Sequence, residues 1–216
     1  MLPSLAPELH TSERLPFIMK LRNFMEDHAL DDVPTLVLQC SVQNAQVANI
    51  DANELTHAML NGAGESGEGD WWSGFSGGNV RKAFDGLMSY NDNGEPLWVT
   101  ELHVDGHVLA GIRLKAYSEM DGAHPAIKIG FRHFALLISR LHKVAAIQAN
   151  VKLTATVVNG NGLRLLGFSG FGGPGRPLAR ELGRDVLEWP VYAAETPQEI
   201  SAACEVMKAR LARAFP

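Results

Sequence analysis

Gly170-Phe171-Gly172-Gly173-Pro174-Gly175 has the G-x-G-x-x-G spacing of a loop that lets backbone amides approach a phosphate. Arg176, Arg180 and Arg184 follow it. Guanidinium groups grip phosphate oxygens with paired, charge-assisted hydrogen bonds. A dinucleotide site would also need a βαβ unit around the glycines and an acid about twenty residues on. Here the strand before the loop belongs to a hairpin, Gly183 ends the short helical segment after it, and Glu188 comes too soon. The looser reading is a phosphate-holding loop made by Gly172, Gly173, Gly175, Arg176 and Arg180. The ordinary reading is a surface loop with solvated arginines.

Two further groups carry possible chemistry. Gly74-Phe75-Ser76-Gly77-Gly78 matches G-x-S-x-G, which presents a nucleophilic serine when a buried strand drives into the turn. Gly69-Asp70-Trp71-Trp72 is a poor strand, and His124, His133 and His142 have no neighbours that mark a base. A serine hydrolase using Ser76 is therefore the alternative, not the main reading, and no catalytic residue is assigned. Glu101, His103, Asp105 and His107 cluster at a hairpin turn and could meet a metal, but such residues more often make a wet, polar hairpin tip. With no C-x-x-C and no H-E-x-x-H, neither metal nor cofactor is expected.

Charge is sorted along the chain. Nine basic residues, Lys128, Arg132, Arg140, Lys143, Lys152, Arg164, Arg176, Arg180 and Arg184, share positions 125–184 with one acid, Glu181, for a net of +8. Before Asn79 three basic residues face eleven acids, and the whole chain carries −5. A basic stretch in an acidic protein invites an anionic partner or pairs with an acidic protein face. The anion-binding set is Lys128, Arg132, Lys143, Lys152 and Arg164 with the glycine loop. Aromatic residues for base stacking are sparse, with only Phe168 and Phe171 near that loop.

The elements that must position these groups show in the periodicity. Phe17, Ile18, Leu21, Phe24 and Met25 recur at helical spacing after Pro16. Asp51-Ala52-Asn53-Glu54 starts a helix that Gly62 stops. Asn79 caps a third helix carrying Val80, Ala83, Phe84, Leu87 and Met88. Residues 127–143 form an amphipathic helix with Ile127, Phe131, Phe134, Ile138 and Leu141 on one face and Lys128, Arg132, Ser139 and Lys143 on another. Thr196-Pro197-Gln198-Glu199 is a capping box for a last helix that buries Ile200, Ala203, Cys204, Met207 and Leu211. Asp105-Gly106 joins strands 97–104 and 107–117, and Asn159-Gly160-Asn161-Gly162 joins strands 151–158 and 163–168. Residues 35–42 and 186–193 are further strands. The fold expected is α+β, a mostly antiparallel sheet built from hairpins with helices packed on it.

Three parts are distinguished: 1–62, a helical and strand segment; 63–78, a glycine-rich acidic loop or linker; and 79–216, the α+β core, all within a chain short enough for one domain. Cys40 and Cys204 read as small core residues rather than a disulfide frame. The N-terminus lacks a basic start and a long apolar run, and no apolar run nears eighteen residues, so a cytoplasmic protein without a membrane span is expected.

Leu102-His103-Val104-Asp105-Gly106-His107-Val108, a long helix, and then the hairpin from Val151 to Leu165 resemble the part that follows the nucleic-acid-binding domain in bacterial Schlafen/Alba-type proteins. Val80-Arg81-Lys82-Ala83-Phe84 matches a short helix just upstream in that family. The resemblance covers residues 79–168, and the family's Glu-x-Lys strand with its glycine pair is absent from the N-terminal part. It implies a nucleotide or nucleic-acid role and assigns no catalytic residue.

The expected function is non-catalytic binding of an anionic partner, nucleic acid or a nucleotide phosphate, by the 125–184 surface. The alternative of a protein-interaction subunit meets an acidic protein face instead, and its charge separation also allows a homo-oligomer.

Overall fold

A computed structural model describes residues 20–42, 50, 51, 53, 55, 80–83, 85–90, 98–114, 123–144, 150–163 and 182–214, with the side chains of 123–129, 144 and 212 excepted. Its strands are β1 (Thr35–Val42), β2 (Val80–Ala83), β3 (Gly86–Tyr90), β4 (Trp98–His103), β5 (Val108–Arg113), β6 (Val151–Val158), β7 (Leu187–Glu188) and β8 (Tyr192–Ala194). Its helices are α1 over residues 20–27, α2 (Ala123–Val144) and α3 (Pro197–Ala214). Every strand pairing is antiparallel, in the order β2-β3-β4-β5-β1-β6-β7, with β8 also beside β6. The α+β expectation holds.

β1 lies between β5 and β6, so the 1–62 segment and the 79–216 part share one sheet. Alternation divides its side chains between two faces. Leu36, Leu38 and Cys40 join Leu102, Val108, Ala110, Ile112, Leu153 and Ala155 in the larger core. Phe131, Phe134, Ile138 and Leu141 of α2 and Ile200, Cys204, Met207 and Leu211 of α3 close this core, and the two helices lie against each other. Trp189 ties the sheet to α3: its backbone N–H donates to Ala155 O, and its ring Nε1–H donates to Met207 O at 3.1 Å. Cys40 and Cys204 are buried free thiols here, as the composition suggested. Burial pushes both thiols up, Cys204 to about 12, so neither forms thiolate readily.

The opposite face has a smaller core of Phe24, Met25, Leu30, Val37, Val99 and Leu109. Gly111 makes it possible. A Cβ there would stand 2.9 Å from Leu30 Cδ1 and 3.1 Å from Phe24 Cε1. α1 ends in a Schellman motif: Leu30 N–H donates to Met25 O at 2.9 Å and Ala29 N–H donates to Glu26 O at 3.2 Å. Ala29 takes the left-handed position, with φ at 50°, where glycine is the usual residue.

Several expectations need correction. The helix expected from Asn79 is the β2–β3 hairpin instead. Val80, Ala83, Leu87 and Met88 do fit a helical spacing, but Ala83 and Gly86 pair across a tight turn that holds Asp85, and Leu87 to Tyr90 alternate buried and half-buried as a strand does. The short helix implied there by the family resemblance is likewise a strand. β6 spans Val151–Val158 as expected, but its outer edge is taken by β8 at Val151–Leu153 and by β7 at Thr156–Val157. The partner strand expected at 163–168 lies, beyond Leu163, outside the described residues. The strand expected over 186–193 is split into β7 and β8 around Pro190, which has no N–H to give a ladder. The other elements stand: β1, the Asp105-Gly106 hairpin with Gly106 at φ 82°, the N-cap in which Asp51 Oδ1 accepts from Asn53 N–H, α2, and α3. Among the described residues no helix is long and apolar enough to cross a membrane.

Candidate functional site

Among the described residues two places gather charged side chains, one on each side of the sheet. The first is α2. Its 22 residues hold four Lys/Arg and three His and not one Asp or Glu. The apolar side is fixed in the larger core, so the polar side must face outward. Arg132 and Lys143 are exposed. Eleven residues apart, they lie on one side of the helix about 16 Å from each other. Arg140 is half-buried, and its Nε–H donates to Leu136 O at 3.4 Å. His142 is half-buried too, and burial lowers its pKa.

The sequence-expected anion site is only partly described. Arg132 and Lys143 share the outer side of α2. Lys128 is on the same helix, with its side chain outside the described set. Lys152 alternates with Val151 and Leu153, which face α2 and α3, so it projects from the opposite face of the sheet. Arg164, Gly172, Gly173, Gly175, Arg176 and Arg180 lie outside the described residues, as do Ser76 and its glycines.

The second place is at the end of β4, on the α1 face. Glu101 is buried, and its two carboxylate oxygens face two imidazoles. His28 Nε2 stands 2.7 Å from Oε1, and His103 Nε2 stands 3.0 Å from Oε2. The His103 contact is one of proximity: its buried nitrogens lack an aligned hydrogen bond. Burial pushes the Glu101 carboxyl up, but His103 and His28 more than offset this and hold it at about 2. Farther out, Lys20 Nζ reaches Asp105 Oδ2 at 2.5 Å and Asp85 Oδ2 at 3.5 Å. Those aspartates come from the tips of two neighbouring hairpins, joined where Val104 N–H donates to Asp85 O. His107 Nδ1 is 3.0 Å from Asp105 Oδ1. Burial raises the Asp105 pKa, but His107 and Lys20 outweigh it, and the net direction is down.

The expected wet hairpin tip is therefore half right. Asp105 keeps water contact, whereas Glu101 and His103 are buried under α1 and the turn after it. Lys20, His28 and Asp85 were not singled out from the sequence. His28 and Lys20 are far from the hairpins in the chain, and Asp85 lies in the β2–β3 turn, within the stretch whose spacing reads as a helix. Among the described residues no group of three or more His, Cys, Asp or Glu side chains is arranged to hold a metal ion. No protein-family model matches the chain, and no curated protein matches it.

Proposed function

We propose that the chain is a non-catalytic binding protein whose basic surface within residues 125–184, with Lys152 set apart on the other face of the sheet, holds an anionic partner, nucleic acid or a nucleotide phosphate. The observation that supports this is α2: an acid-free helix, held to the core by its apolar side, with Arg132 and Lys143 exposed on one line. Phosphate contacts from such a surface supply affinity without reading sequence. The resemblance of residues 79–168 to Schlafen/Alba-type proteins points the same way. The net charge of −5 favours weak binding or a small phosphorylated ligand.

The test is titration with single-stranded and duplex nucleic acid and with common nucleotides at low salt. Arg132→Ala and Lys143→Ala should each weaken binding. For a polyanion, each lost phosphate contact lowers the salt slope by about one unit. Arg22→Ala, on α1 and across the sheet, should change neither. No binding to any of these at high micromolar protein overturns the proposal.

A second reading has its own support. Glu26, Asp27, Asp31 and Asp32 are all exposed on the α1 side of the sheet, opposite α2. An interaction subunit would place its α2 surface on such an acidic face of another protein or another copy. Salt-sensitive self-association without nucleic-acid binding favours this reading. Reaction of Ser76 with a fluorophosphonate probe would displace both in favour of a hydrolase.

A further inference from the structure

Phe24, Met25 and Leu30 supply half of the smaller core, which is separate from the larger one. The segment that carries them is pinned unevenly. From Ala29 on it is tied by backbone carbonyls: Arg113 donates to Ala29 O at 3.2 Å, and Asn159 Nδ2 donates to Val33 O at 3.2 Å and to Asp31 O. Before Ala29 the polar ties to the sheet are His28 to Glu101 and Lys20 to Asp85 and Asp105. The Lys20 ties are partly solvated, with 22% of the Lys20 side chain and 42% of Asp85 exposed. Between the two parts stands Ala29 in its left-handed conformation. A small satellite core, a half-wet ion pair and a strained residue at the boundary are the marks of a unit that opens below global unfolding.

We infer that residues 20–28 form a strap that swings off the sheet as one unit about Ala29, with the Lys20 ion pairs as a salt-sensitive latch. Opening bares the Glu101–His103 pair and the strip of Val37, Val99 and Leu109. The hydrogen-bonded ladders of β1, β5 and β6 stay closed throughout.

Native-state hydrogen exchange on the whole chain tests this. The amides of Met25 through Leu30 should exchange at least about tenfold faster than those of Leu36 to Leu38 in β1. About 0.5 M salt screens charges within roughly 4 Å and should speed the strap amides alone. Lys20→Ala should do the same at low salt and remove the salt effect. Gly111→Val, which drives a methyl against Leu30 and Phe24, should open the strap with no change in its salt response. If Lys20→Ala does not fold, Asp85→Asn weakens the latch from the other side. Strap amides that exchange at the β1 rate overturn the inference. So do salt or Lys20→Ala effects that are equal in strap and sheet.

Discussion

His28 Nε2 and Glu101 Oε1 stand 2.7 Å apart, although 73 residues separate them in the chain. The contact joins the end of α1 to the middle of the sheet and puts one buried carboxylate between two imidazoles. Glu101 is held at about 2, below its ordinary 4.5. A carboxyl lowered on folding stabilises the protein above its unfolded pKa and stops doing so as pH falls through the folded one. That window runs from about 4.5 down to about 2. Glu101→Gln should therefore cost on the order of 3 kcal/mol at pH 7 and flatten the acid limb of the stability curve. Denaturant midpoints from pH 2 to 7 would show it, and parallel curves for the two proteins would refute it.

Ala29 adopts φ 50° at an exposed helix C-terminus. A side chain there costs about 1 kcal/mol relative to glycine. Ala29→Gly should raise the urea midpoint by up to that amount, less the entropy that glycine adds to the unfolded chain. A fall in the midpoint would mean that the Ala29 methyl makes contacts of its own.

β2 is the end strand of the sheet order, and two adjacent cations, Arg81 and Lys82, are exposed on it. Charge on an edge discourages pairing with another edge. Arg81 also lies over the Tyr90 ring, 4.9 Å from its centroid. The double variant Arg81→Thr, Lys82→Thr should self-associate with rising concentration, read by sedimentation velocity. A monomer at the same concentrations would sink the idea.

At the start of α3, Glu199 N–H donates to Thr196 Oγ1 at 3.3 Å, and Thr196 N–H donates back to Glu199 Oε2 at 3.2 Å. Thr196→Ala should cost about 1 kcal/mol. Because α3 closes the larger core, the loss should appear as a lower global melting temperature and not as local fraying at Glu195 to Glu199. Unchanged melting would show that the reciprocal bonds add nothing beyond solvent.

Local chemistry made much of this fold readable. β1 and β6 show as runs rich in apolar residues and threonine, and the capping box marks α3 where it begins. The β2–β3 hairpin reads as a helix because strands of four and five residues are too short for alternation to outweigh an accidental helical spacing. The pairing of β6 with β7 and β8 was not legible, because those strands lie about thirty residues or more along the chain and are only two and three residues long. The α2 cations were legible from spacing alone. The Glu101 cluster was legible only in its local half, Glu101, His103, Asp105 and His107, since Lys20, His28 and Asp85 join it from α1, the turn after α1 and a second hairpin tip. No periodicity reports that Lys20 will reach Asp85.

The position of β1 bears on how the chain is made. Seven of its eight residues are buried, and both of its neighbours, β5 and β6, are synthesised after it. A ribosome would release this apolar segment long before Val158 could emerge to cover its second edge. Until then one edge of β1 has no partner. Such late closure slows folding and leaves an aggregation-prone strand bare. Ribosome-bound chains stopped near Arg113 should therefore bind chaperones more strongly than chains extended past the end of α3.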